Sequence, residues 1–284
     1  MQSLWMIVAS LLFAFMGVFV KLASDTFSAI EIVFYRSAIS CLFMTVIVYM
    51  RGITLRTPHW RIQLTRSVFG FFGLLLFFYA VSLLPLATAV TLNYTSPLFL
   101  ALFLCGMGRM PFRPSLLGAL ALGFVGVVLL LRPTFQSDQL LGGVIGLVSG
   151  VVSGLAYFNV RELGELGETE ERTVFYFTLF SSVVSGAWML MGTLHSVDGR
   201  GLMLLLSVGV LATAAQLAMT RAYKRGKTLV SASLAYTTVA FSSVLGMFVW
   251  NEMLSPAAWG AIALIVASGL ATTWFSRANP ADQD

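Results

Sequence analysis

The chain has 284 residues, of which 58% are hydrophobic and only 10% are charged. Soluble domains are about 45–50% apolar and about 25% charged, so this composition excludes an ordinary globular domain and indicates a lipid-facing protein. The net charge of +5 does not indicate nucleic-acid binding, because the basic residues lie between apolar runs rather than on one face. Cys41 and Cys105 both lie within apolar runs, where cysteine is a typical small core residue.

Ten apolar runs have the length of about 20 residues that an α-helix needs to cross a membrane. The linkers between them are short and carry helix breakers such as Pro85, Pro133 and Pro256. The first run starts at Leu4 with no basic residue before it, so we interpret it as a retained helix rather than a signal peptide. The predicted spans are 3–23, 29–50, 64–84, 86–106, 114–131, 140–160, 173–194, 201–221, 228–250 and 256–275.

The distribution of Lys and Arg predicts the orientation of these spans. With the N-terminus in the cytoplasm, only Lys21, Arg36, Arg132 and Arg200 fall on the outer side, and the other 13 of the 17 basic residues fall on the inner side. We therefore predict a multi-pass protein of the cell inner (plasma) membrane, with the N-terminus and the C-terminus cytoplasmic. The lipid bilayer is then its surroundings, and no nucleic acid is expected as a partner.

An internal repeat relates the two halves of the chain. Residues 92–99 and 234–241 share the pattern L-x-Y-T-x-x-x-F at an offset of 142 residues, and Pro114 matches Pro256 at the same offset. Five helices per half is an odd number, so the second half must run in the opposite direction through the membrane. The charges of the linkers agree, because a basic linker in one half corresponds to a nearly uncharged linker in the other.

These patterns predict an all-α integral membrane fold of ten transmembrane helices, built as two inverted five-helix repeats. We place the first repeat at 1–135, the second at 136–277 and a polar C-terminal tail at 278–284. Inverted repeats are typical of secondary transporters, whose substrate sites lie near the membrane midplane between the halves. A duplication that only builds a stable bundle is the alternative.

Several motifs resemble the EamA-domain proteins of the drug/metabolite transporter superfamily. The matching features are Tyr79-Ala80 before a tight turn, the segment 92–99, and Trp250-Asn251-Glu252 followed by Pro256 and Trp259-Gly260-Ala261. Lys21 and Arg36 beside the first outer loop are also similar to the family, whereas Met110 stands where the family usually carries Glu. The resemblance covers essentially the whole chain and implies ten helices that transport metabolites, often amino acids or related solutes, commonly outward.

The function predicted from the sequence is therefore secondary transport of a small-molecule solute by alternating access, not enzymatic catalysis. A channel or scaffold is the second interpretation, and an intramembrane enzyme is the third. The sequence has no P-loop, H-E-x-x-H or G-x-S-x-G motif, and His59 and His195 lie on opposite sides of the membrane. We therefore predict no catalytic residue, no metal site and no cofactor, while a homodimer and a monomer remain equally open.

Polar and aromatic residues inside the spans are the candidates for contact with the solute, since such groups are costly when they face lipid. Tyr94 and Tyr236 approach the midplane from opposite sides, each about 12 Å from its end of the membrane. Hydrogen bonding between helices explains any single one of these residues equally well. The full candidate set is Tyr79, Asn93, Tyr94, Ser96, Tyr157, Gln216, Tyr236 and Thr238.

Three charged residues near the span ends are candidates for a gate or an anchor. Arg36 could bind a carboxylate of the substrate, or it could pair with Glu31 as a structural anchor. Glu252 could gate or carry a proton, or it could be an exposed acid at the membrane interface. The predicted spans carry no Asp or Glu near the midplane, so proton coupling through a buried carboxylate is not supported.

Glycines repeat every four residues along the sixth span, at 142, 146, 150 and 154. Such a small face lets another helix approach closely. It favours either sliding during transport or simple packing.

Overall fold

The computed structural model describes residues 2–134, 139–192, 194–251 and 253–277. Within these ranges the chain is helical and contains no strand. A short 3-10 turn at Gln2–Leu4 precedes the first α-helix. The α-helices are α1 (Trp5–Ala23), α2 (Ala29–Met50), α3 (Trp60–Leu83), α4 (Leu86–Asn93), α5 (Ser96–Gly106), α6 (Pro114–Leu131), α7 (Leu140–Glu165), α8 (Glu170–Met189), α9 (Gly199–Arg225), α10 (Thr228–Ala235), α11 (Thr237–Trp250) and α12 (Pro256–Arg277).

These twelve helices form ten spans, because α4 with α5 and α10 with α11 are each one span broken near its middle. In the described part of the chain, nine spans are long and apolar enough to cross a membrane. The tenth, α8, has 20 residues but is more polar. Its hydroxyl groups bond to its own backbone, as in the hydrogen bond of Thr178 Oγ1 to the Val174 carbonyl at 2.9 Å. The predicted count of ten spans is confirmed.

The packing of the helices follows a pseudo-two-fold axis that exchanges the first five spans with the last five. The pair α1–α9 corresponds to the pair α7–α3, and the pair α1–α11 corresponds to α7–α5. The pairs α2–α8 and α6–α12 each join equivalent helices across the axis. The two halves are therefore inverted five-helix repeats packed against each other, as predicted.

Close contact between the halves depends on small residues. The glycine face of α7 packs against the broken span, since a Cβ atom at Gly154 would lie 3.1 Å from the Ser96 carbonyl oxygen and from the Phe99 Cβ. On the other side of the bundle, a Cβ atom at Gly126 would lie 3.0 Å from the Ala261 carbonyl oxygen of α12. Both helix pairs are thus joined at backbone distance.

Both breaks are tightened turns. At the first, the amide of Thr95 donates to the Leu92 carbonyl at 3.2 Å, and Pro97 has no amide to continue the helix. At the second, the amide of Val239 donates to the Tyr236 carbonyl at 3.1 Å. The second break has no proline, so the same geometry recurs without one.

Two ends of the bundle can be distinguished by charge. The linkers 51–59, 107–113, 166–169 and 226–227 meet at one end, which we call the basic end. The start of the chain is held there, because the Lys227 amide donates to Ser3 Oγ at 2.9 Å. The opposite end, where residues 24–28 lie, is called the distal end.

Candidate functional site

The two broken spans bring their tyrosines together inside the bundle. The rings of Tyr94 and Tyr236 have centroids 6.3 Å apart, and the Phe124 ring lies 6.5 Å from that of Tyr236. Since α4 and α10 each have 8 residues and start from opposite ends, each tyrosine is about 12 Å deep. They therefore meet near mid-depth, at the contact between the two halves.

A second pair of tyrosines extends this aromatic cluster. The rings of Tyr157 on α7 and Tyr223 on α9 are stacked with a centroid distance of 5.0 Å and an interplanar angle of 19°. Tyr223 is within electrostatic range of Tyr94, Tyr157 and Tyr236. Tyr94 and Tyr157 lie deep in the bundle yet remain partly accessible, so they border internal space.

Several polar atoms around these rings have no hydrogen-bond partner among the described residues. They include the hydroxyls of Tyr223 and Tyr236, the Gln216 Nε2 atom and the Thr220 hydroxyl. Gln216, Thr220 and Tyr223 follow one another at helical spacing, so they form a polar stripe on the inner face of α9. Buried polar groups normally find partners, and this many without one are typical of a site that binds a polar ligand.

Two arginines lie beside the tyrosines. Arg36 on α2 and Arg66 on α3 are within electrostatic range of each other and of Tyr157. Arg66 is fully enclosed at 2% exposure, and its guanidinium carbon lies 4.0 Å from the centroid of the Phe177 ring. Its Nε and NH1 atoms have no hydrogen-bond partner in the described part of the chain.

Other predicted site residues are near this cluster but serve partly in packing. Asn93 Nδ2 donates to Ser149 Oγ at 3.2 Å, which is a hydrogen bond between α4 and α7. Ser96 is buried against α7, and Thr238 lies within hydrogen-bonding reach of the Tyr94 hydroxyl.

Tyr79 is separate from this cluster. It is 53% exposed and lies in an apolar surface groove with Phe78 and Trp188. The groove faces outward between α2, α3 and α8, so the structure does not bring Tyr79 to the other tyrosines.

Glu31 is engaged at the distal end and does not pair with Arg36. Its carboxylate accepts hydrogen bonds from the Ser28 amide at 2.8 Å and the Ser28 hydroxyl at 2.7 Å. It also contacts the His195 amide and the His195 Nδ1 atom, both at 2.8 Å. Glu31 therefore ties the α8–α9 linker to the start of α2. Glu252 lies outside the described residues.

A hydrogen-bond network around Glu168 closes the basic end. The carboxylate accepts from Thr57 Oγ1, from Gln63 Nε2 at 3.2 Å and from Arg172 NH1 at 2.7 Å. Burial by itself raises the pKa of Glu168, but the hydrogen bonds from Thr57, Arg172 and Gln63 hold the pKa of this carboxyl below its ordinary value. Lys224 Nζ donates to the Glu168 carbonyl at 3.2 Å. The network thus joins the α2–α3 linker, the α7–α8 linker and the end of α9.

Arg66 and Tyr223 were not predicted as site residues because the predicted spans were too short. The third span was expected to start at residue 64, but α3 begins at Trp60, which places Arg66 inside the helix. The eighth span was expected to end at residue 221, but α9 continues to Arg225 and carries Tyr223 inward. An arginine at a position that continues a helix into an apolar run is the signal that could have identified Arg66.

Comparisons with known proteins agree with this architecture. The model of the EamA-like transporter family matches residues 1–132 and 140–274. A crystal structure with 20% sequence identity superposes with a TM-score of 0.86, covering 97% of this chain and 98% of that one. This protein belongs to the EamA-like transporter family.

Two relatives have names that state a solute. The pseudopaline exporter CntI of Pseudomonas aeruginosa is 30% identical over 247 residues, which are 87% of each chain. The S-adenosylmethionine uptake transporter of Rickettsia bellii is 24% identical over 232 residues, covering 78% of this chain and 76% of that one. The family and these relatives establish a transporter of small solutes rather than an enzyme.

Proposed function

We propose that this protein exports a small solute across the inner membrane by alternating access, with the solute bound at mid-depth between the halves. The observation that carries the proposal is the meeting of Tyr94 and Tyr236 at two helix breaks of opposite direction. Interrupted helices at the contact between inverted repeats are where secondary transporters bind substrate. Export follows the relative with 30% identity, which is named as an exporter.

The orientation in this proposal has both termini in the cytoplasm, so that the basic end is cytoplasmic. Arg36 and Arg66 lie inside the bundle and do not count as loop charges. The excess of basic residues at the basic end persists without them, as the positive-inside rule requires. We place the boundary between the two repeats between residues 135 and 136.

The proposed solute site contains the tyrosines at 94, 157 and 236 together with Gln216 and Thr238. Asn93 and Ser96 support the first helix break from the side of α7. The Glu168 network acts as the cytoplasmic gate, and the contact between Glu31 and His195 acts as the outer gate. Alternating access then requires that each network opens while the other stays closed.

Exchange of solute across liposomes tests this proposal. Purified protein is reconstituted into liposomes loaded with an unlabelled mixture of amino acids and 2-oxo acids, and uptake of each labelled member is measured. A carrier shows faster uptake when unlabelled solute is present on the other side. Tyr236→Ala should abolish this acceleration, while Tyr49→Ala, a change at a tyrosine that is 88% exposed on α2, should retain it. Uptake that is insensitive to solute on the other side would identify a channel instead.

A further inference from the structure

Beside the four tyrosines, the bundle holds two positive charges that no protein carboxylate neutralises. Among the described residues, every ion pair of an acidic side chain involves a different partner, such as Arg172 for Glu168 or His195 for Glu31. Arg36 and Arg66 are instead in electrostatic range of each other. The described acids all lie toward the ends of the bundle, away from this pair.

Such a pair is costly in an isolated bundle. Enclosed charges need a partner of opposite sign, and removing one partner of a buried ion pair is strongly destabilising. The ring of Phe177 offsets part of this cost by covering one face of the Arg66 guanidinium. The N–H donors point along the guanidinium plane rather than through its face, so they stay available for an acceptor. Two of the Arg66 nitrogens have no acceptor in the described protein.

The rest of the site fits an organic molecule rather than an inorganic ion. The stacked rings of Tyr157 and Tyr223 provide a flat apolar surface next to the two arginines. The unpartnered groups of Gln216 and Tyr236 provide hydrogen bonds for polar substituents. No described carboxylate is present at this depth to accept an ammonium group.

From this arrangement we infer that the transported solute is a net-anionic organic acid, whose carboxylate binds between Arg36 and Arg66. The inference rests on the proposed function and specifies the substrate class of the same site. Guanidinium groups bind carboxylates with paired, charge-assisted hydrogen bonds. A zwitterion would satisfy the arginines but leave its ammonium without a counter-charge, and a cation would be repelled. The site thus selects by charge as well as by shape.

A series of three ligands with the same phenyl ring separates these classes. Phenylpyruvate is anionic, phenylalanine is zwitterionic and phenethylamine is cationic. We expect phenylpyruvate to raise the thermal unfolding temperature of the detergent-solubilised protein and to compete for transport most strongly of the three. Arg36→Gln should weaken this binding at least about tenfold, since it removes charged hydrogen bonds. Arg56→Gln, a change in an exposed linker residue, should leave it unchanged. Preference for phenethylamine or phenylalanine over phenylpyruvate overturns the inference.

A second measurement needs no ligand. If the two arginines exist for the solute, replacing one removes a buried unpaired charge, so Arg66→Met should raise the unfolding temperature of the ligand-free protein while transport is lost. A lower unfolding temperature in both Arg66→Met and Arg36→Gln would assign the pair a structural role and overturn the inference. Accelerated exchange of a cationic solute that survives both substitutions would also overturn it, while leaving the proposed carrier function intact. Failure of every solute to exchange would count against the carrier function itself.

Discussion

Tyr236 is the residue that most clearly combines burial with an unused polar group. Its side chain is fully enclosed, contacts the rings of Tyr94 and Phe124, and has a hydroxyl without a partner among the described residues. A purely structural tyrosine in this position would be expected to bond its hydroxyl. The unpartnered hydroxyl is therefore a contact that the solute can complete.

Removing only this hydroxyl separates binding from folding. Tyr236→Phe keeps the ring, and because it deletes a buried group with no partner, the unfolding temperature should be unchanged or higher. Transport should fall about tenfold if the hydroxyl bonds the solute. The measurements are thermal unfolding in detergent and solute exchange in liposomes, with Tyr49→Phe at the exposed surface as control. A clear loss of stability with normal transport would show that the hydroxyl serves the fold.

Glu168 gives a pH-dependent prediction at the same scale. Its pKa is lower in the folded protein than its ordinary value of 4.5, so the carboxylate stabilises the fold at higher pH. That stabilisation is complete above about pH 4.5 and is lost as the pH falls through the lowered folded pKa. Glu168→Gln should therefore reduce the unfolding temperature at pH 7 and flatten its decline in the acid range.

The control for this change is Glu165→Gln, which affects a partly exposed acid paired with Arg161 one helical turn away. Exposed pairs of this kind contribute little to stability, so the control should follow the wild-type pH profile. A Glu168→Gln variant with the wild-type unfolding temperature at pH 7 would show that the network does not hold the basic end closed.

Among the elements, α7 and the broken span α4–α5 depend most on each other. The glycine face of α7 packs directly on the first helix break, where a Cβ atom at Gly150 would lie 2.8 Å from the Leu92 carbonyl oxygen. A backbone oxygen cannot rotate away as a flexible side chain can. The small face is therefore required for the break to sit at mid-depth beside Tyr94.

Replacing Gly150 tests this packing. Gly150→Ala should destabilise the protein by about 1–3 kcal/mol, as overpacking does, and should reduce transport by displacing the first helix break. Gly118→Ala on α6 is the matched control, since nothing lies within 4 Å of its added Cβ atom. The control should gain about 0.5–1 kcal/mol through helix propensity. Equal unfolding temperatures for the two variants would contradict the close packing.

The sequence predicted the spans well and the helix breaks only in part. Long apolar runs with short linkers determine the number of spans, and their predicted limits differ from the structure by a few residues, as at Trp60 and Arg225. Pro97 indicates the first break, because it removes a helical amide. The second break at Tyr236 has no such signal, since Val239 stands where the proline would be. The repeat alone connects the two breaks.

The site was predictable to the extent that depth along a helix follows from spacing. Tyr94 and Tyr236 were expected at the same level, and the structure has their rings 6.3 Å apart. The rotation of a helix about its axis is set by tertiary packing, which spacing does not reveal. For this reason Tyr79 faces outward, while Arg66 and Tyr223 face inward without having been identified.

Over the whole molecule, the inverted repeat requires a fixed orientation, because two halves that oppose each other must place their charged linkers on one side. We expect a green fluorescent protein fused after residue 284 to fluoresce and an alkaline phosphatase at the same point to be inactive. Both results would follow from a cytoplasmic C-terminus. An active phosphatase together with a dark fluorescent protein would reverse the assignment of the basic end to the cytoplasm.

The exposure of one mid-depth residue to both sides of the membrane tests alternating access most directly. In a protein with Cys41→Ser and Cys105→Ser, Thr238→Cys introduces a thiol beside the Tyr94 hydroxyl. A membrane-impermeant maleimide is added to right-side-out or inside-out vesicles, and labelling is measured with and without transported solute. We predict labelling from each side, slowed by the solute in both cases. Labelling from one side only, unaffected by solute, would contradict a central site that opens alternately to the two sides.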